Sequence, residues 1–141
     1  RSDITVAIDR KAGRLTCLRK GRVVMHDDGT SPATNFTLSA ASDLYGMGQF
    51  RDALPNYRDR TVYLAQANMD SVVPFLVSPD GWGLLWDTET DSHLTSTGKR
   101  LSYTNTSPLT RYHLCLDGDI DGALSDAEAM LKIIREYGSK K

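Results

Sequence analysis

Short apolar and polar alternations, interrupted by turn residues about every 8 to 12 positions, constrain this chain more than any other feature of its sequence. Ile4, Val6 and Ile8 alternate with Asp3, Thr5 and Asp9, the period-2 signature of a half-buried strand. The same texture returns in "RLTCLRK", "RVVMH", "NFTLS", "RTVYLAQ", "SVVPFLVS", "GWGLLWDTE", "SHLTST", "KRLSYTN" and "RYHLCLD". Between these segments lie "KAG", "DDGTSPAT" and "PDG", whose Gly, Pro and Asp residues supply turn geometry. This rhythm predicts an all-β fold, mainly an antiparallel sandwich, as one domain over residues 1–141.

One segment departs from it. Ser125 can cap a helix and Glu128 can complete a capping box, while Met130, Ile133, Ile134 and Tyr137 fall on one helical face and Gly138 provides a stop. The spacing predicts one C-terminal helix at about 126–137.

Composition narrows the function classes. With 17 basic and 18 acidic residues the formal net charge is −1, so nothing attracts nucleic acid or an anionic membrane in general. No apolar run approaches the ~20 residues that span a bilayer, and "RSDITVAIDR" lacks the order of a secretory signal. The leucines flanking Cys17 and Cys115 predict two buried thiols, a disulfide being the alternative. No compartment is assigned by these features. The triplets beginning at Asn35 and Asn105 are glycosylation acceptors only in a secreted eukaryotic chain.

"DLYGMGQF", Asp43 to Phe50, poses the main functional question. A phosphate cradle would need a third glycine or a Gly-Lys-Ser/Thr run leading into a helix, and here the chain continues through "RDALPNYRDR" with Pro55. The alternative is structural: Gly46 and Gly48 let a strand bend or adopt positive φ, with Tyr45 and Met47 on one face. His26, His93 and His113 have no ligand spacing, and Trp82 and Trp86, four apart on one strand, read as core rather than as a sugar platform.

The order "LYGMGQF", "NYRDRTVYLAQAN", "VVPFLVSPDGWGLLWD" resembles the N-terminal β-sandwich of glycoside hydrolase family 31, the α-glucosidase and α-xylosidase family. The corresponding family segments read approximately YGLGQ, NYRG, QxN, IPF and SxxGYGxxW. Matching positions are Tyr45, Gly46, Gly48, Gln49, Asn56, Tyr57, Arg58, Gln66, Asn68, Pro74, Phe75, Ser78, Gly81, Gly83 and Trp86. Met47, Asp59, Pro79 and Trp82 depart from the pattern. The resemblance implies a galactose-mutarotase-like sandwich that precedes a (β/α)8 catalytic barrel, and a chain this rich in strands has no room for about 250 residues of barrel. It therefore implies a non-catalytic accessory domain of an α-glycosidase, with the barrel and an α-linked oligosaccharide or glycoside as partners. By the same resemblance, the loop around Gln49, Phe50, Asn56, Tyr57, Arg58 and Asp59 lies near the substrate entrance. Phe50 and Tyr57 could stack on a sugar and the polar residues could bond hydroxyls.

Glycoside hydrolysis needs two carboxyl groups ~5 to 9.5 Å apart, and none of the acids is singled out for that role by its position. A separate pattern lies in "DGDIDGALSDAE". Asp117, Asp119 and Asp121 occupy the first, third and fifth positions of a calcium loop, Gly122 the turn, Ser125 the ninth position and Glu128 the last. This raises Ca2+ as a possible cofactor; the competing reading is a solvated turn followed by a capping box. The alternative function is a self-standing carbohydrate- or calcium-binding β-sandwich module.

Overall fold

The computed structural model describes residues 3–28, 33–50, 54–68, 70–88, 90–107 and 111–116, with isolated positions between 121 and 132. Its strands are β1 (Ile4–Asp9), β2 (Arg14–Arg19), β3 (Arg22–Asp27), β4 (Thr34–Leu38), β5 (Tyr45–Gln49), β6 (Thr61–Leu64), β7 (Ser71–Ser78), β8 (Trp82–Asp87), β9 (Ser92–Thr97), β10 (Arg100–Asn105) and β11 (Arg111–Cys115).

They form a seven-stranded sheet, β1-β2-β3-β4-β10-β9-β6, and a four-stranded sheet, β11-β8-β7-β5, with every strand pair antiparallel. After the β1–β4 meander the chain alternates between the sheets, and the inward side chains of both meet in one core. Aromatic rings join the layers. Trp86 of the small sheet stacks on Tyr103 of the large one at a centroid distance of 4.3 Å, and Phe36 meets Trp86 and Tyr112 edge-on at 6.4 and 5.1 Å. Burial of these rings favours folding, and their contacts bridge the two sheets.

The pattern of alternation explains the details. A register shift between Cys17 and Leu18 skips Val24, so Val24 and Met25 are both buried despite being adjacent. Trp82 and Trp86 are both in the core, as their spacing predicts. Cys17 and Cys115 are both buried.

Two expectations change. The apolar face of β1 is largely uncovered, with Val6 49% and Ile8 66% exposed. β1 is the edge of the seven-stranded sheet, and only four strands lie opposite. Tyr45 and Met47 do not share an environment: Met47 is fully buried and Tyr45 is 36% exposed, because the strand is contorted between them. The described positions 121, 122, 124, 125, 128, 129 and 132 are helical, and the rest of the segment at about 126–137 lies outside the described residues.

Candidate functional site

The glycine-flanked strand has an unusual backbone. Gly46, Met47 and Gly48 carry φ values of 117°, 65° and 103°, three consecutive residues in a region that favours glycine. Across these positions β5 advances from Gly46 opposite Leu76 to Gly48 opposite Val72, so β7 arches over Met47 with Pro74 in the arch. Proline suits that place because it has no N–H to pair. A Cβ on Gly46 would lie 2.3 Å from the Phe75 carbonyl oxygen, and one on Gly48 2.1 Å from that of Ser71. The contortion drives the Met47 side chain into the core, where it is fully buried.

The following loop is fastened by its own polar side chains. Asn56 donates from Nδ2 to Asp43 Oδ1 at 2.6 Å, and its Oδ1 accepts the backbone N–H groups of Leu44 at 3.1 Å and Arg58 at 2.9 Å. The Tyr57 N–H donates to the Leu44 carbonyl at 2.8 Å, and the Tyr57 side chain is 3% exposed, with burial raising its hydroxyl pKa. Asp59, at φ 52°, accepts the Gly98 N–H at 2.7 Å and ties the loop to the β9–β10 turn. The Arg58 Nε lies 3.5 Å from Asp59 Oδ2; both side chains are exposed, so this pair contributes little.

The six residues expected near a substrate are therefore sorted by environment. Tyr57 is core, Asn56 is a half-buried brace and Phe50 is half-buried, while Gln49, Arg58 and Asp59 are exposed. Phe50 and Tyr57 line a cleft of about 400 Å³ together with Leu54, Thr61, Val62, Tyr63 and Asp70. A second cavity of about 310 Å³ lies between Gln66, Val72, Thr88, Thr90, Asp91 and Tyr103. Among the described residues, each has one carboxylate in its lining, Asp70 and Asp91 respectively. A glycosidase mechanism needs a pair across one sugar.

Of the calcium-type loop, Asp117 and Asp119 lie outside the described residues, while Asp121, Ser125 and Glu128 are exposed. Among the described residues no group of three or more His, Cys, Asp or Glu side chains could hold a metal ion.

Other motif residues hold the frame in ways the sequence does not announce. Gln66 makes two hydrogen bonds to the backbone of Val72. Phe75 lies over Gly83, where an added Cβ would come within 2.8 Å of the ring. Trp86 donates from Nε1 to Thr34 Oγ1 at 2.9 Å. Tyr63, Asp91 and His93 form an exposed group that no motif points to, because only the β6–β9 register brings them together.

No protein-family model and no curated protein sequence matches the chain. Solved structures do. The α-xylosidase of Xanthomonas citri, a family 31 glycoside hydrolase, superposes with a TM-score of 0.57 at 27% identity over 65% of this chain. A family 31 dextranase of Flavobacterium johnsoniae, complexed with glucose, superposes with a TM-score of 0.73 at 13% identity over 92% of this chain.

The chain has the fold of a glycoside hydrolase family 31 domain. It spans 12% of the α-xylosidase and 18% of the dextranase, so it matches a small part of each enzyme. In this chain the Gly46 and Gly48 pair is a backbone requirement, and Asn56, Tyr57 and Gln66 act on the chain itself.

Proposed function

We propose that this chain is the non-catalytic N-terminal domain of an α-glycosidase, a galactose-mutarotase-like sandwich that supports a (β/α)8 barrel and shapes its substrate entrance. The observation that carries this reading is the lopsided coverage: 92% of this chain corresponds to only 18% of the dextranase. A domain that occupies so small a share of a glycosidase leaves the catalytic machinery to the remainder.

The loop from Gln49 to Asp59 suits the second role. Its exposed Gln49, Arg58 and Asp59 side chains can meet sugar hydroxyls, while Asn56 and the buried Tyr57 keep the backbone in place. Rigid support lowers the entropy cost of holding polar groups toward a ligand.

Two measurements test the proposal. The purified chain should release no nitrophenol from nitrophenyl α-glucoside or α-xyloside, and the reading frame that encodes it should also encode a barrel. Turnover by the chain alone, abolished by changing one of its acids, would overturn the non-catalytic role. A reading frame without a barrel would overturn the accessory role.

A further inference from the structure

Tyr63 is 54% exposed on the outward side of β6, between half-buried Val62 and buried Leu64. An exposed tyrosine ordinarily samples several rotamers, but this one is held from two directions. Its hydroxyl donates to Asp91 Oδ2 at 2.7 Å. Its ring lies 4.9 Å from that of His93, its cross-strand partner, at an interplanar angle of 37°. The ring is thus fixed before anything binds, and a ligand that stacks on it immobilises little additional side chain.

The surface beside the ring is polar and runs across four strands. Thr61, Thr95, Ser102 and Asn35 are successive cross-strand neighbours, and the Thr61 and Thr95 hydroxyls are 3.3 Å apart. A pyranose has an apolar C–H face and a rim of hydroxyls, so it needs an aromatic face flanked by donors and acceptors. This side of the seven-stranded sheet offers that combination.

We infer that Tyr63, braced by Asp91 and His93, is a stacking platform for a glucan chain on the outer face of the seven-stranded sheet. One sugar ring lies on Tyr63. Asp91 and the hydroxyls of Thr61 and Thr95 bond the hydroxyls of that sugar and its neighbour. The choice of an α-linked glucan rests on the α-glycosidase reading; the platform would keep polymer close to the enzyme without taking part in hydrolysis.

Native electrophoresis of the full 141-residue chain through gels with and without dextran tests this. The wild-type chain should be retarded by dextran. Tyr63→Ala should weaken the retardation about tenfold or more, the scale of losing a buried aromatic contact. Tyr63→Val, which removes the ring and keeps strand propensity, should do the same, and Tyr63→Phe should retain most of the binding. Tyr45→Ala, on the other sheet, should migrate as wild type. Absence of retardation in the wild type, unchanged retardation in Tyr63→Val, or equal loss in Tyr45→Ala would each overturn the platform. A barrel in the reading frame combined with no retardation removes the platform alone and leaves the accessory-domain reading standing.

Discussion

The side-chain amide of Gln66 stands beside Val72 as a strand would, accepting its N–H at 3.2 Å and donating to its carbonyl at 3.0 Å. β8 pairs with β7 only from Phe75 to Ser78, so the first half of β7 lacks that neighbour. Replacing Gln66 by Ala exposes both groups to water rather than to another donor and acceptor. The urea midpoint should fall by the equivalent of about 1 kcal/mol with an unchanged slope. An unaltered midpoint would mean the amide is ornamental.

Gly46→Ala and Gly48→Ala should each destabilise by about 3 kcal/mol or more, because the new methyl would collide with the backbone of β7 at a φ that alanine resists. Gly98→Ala is the control: its φ is 57° and nothing lies within 4 Å of the added Cβ. Its cost should be about 1 kcal/mol. Thermal unfolding of the three variants gives the comparison, and equal losses would refute the steric argument.

Thr34→Val should remove the acceptor for Trp86 Nε1 and leave a buried indole N–H unmatched, costing about 1 to 3 kcal/mol. Trp86→Ala should cost about 3 to 5 kcal/mol, since the stacked Tyr103 loses its partner and a cavity opens between the sheets. Near-ultraviolet circular dichroism should show the ring environment change in both variants.

Stability should decline in mild alkali. Burial, with the charge of Asp27 adding, pushes the Cys17 thiol from 9.0 up to about 11. The folded chain therefore keeps a proton that the unfolded chain has lost. This contribution is whole below pH 9.0 and is lost as pH rises toward about 11. The loss is on the order of 2 kcal/mol. Tyr112, held above 10.0 by burial and its hydrogen bond to Asp27, extends the decline to higher pH. Urea midpoints between pH 8 and 11 should drop in the wild type and drop less steeply in Cys17→Ala; parallel profiles would exclude the thiol.

The calcium-type spacing of Asp117, Asp119, Asp121, Ser125 and Glu128 makes a separate prediction. Calorimetric titration with calcium should give saturable heat that Asp117→Ala sharply weakens. No heat at millimolar calcium would remove the site.

The strand rhythm was legible because strands carry local evidence: Leu101 and Tyr103 alternating with Arg100 and Ser102, or turn residues such as Gly81, are read within a few positions. The candidate loop was legible only as a location. "NYRDR" marks a loop that matters, yet nothing local distinguishes a tyrosine that meets a ligand from one that is 3% exposed in the core. The group of Tyr63, Asp91 and His93 carried no signal, since its members are joined by strand register rather than by spacing.

By itself the sequence determined the all-β class and the run of strands, because periodicity is a property of neighbouring residues. Tertiary structure alone decided how those strands were shared between seven and four, why Val6 and Ile8 were left uncovered and why Tyr57 turned inward. Those outcomes depend on which strands pair at long range and on how much opposing sheet is available to cover each face. No local pattern encodes either.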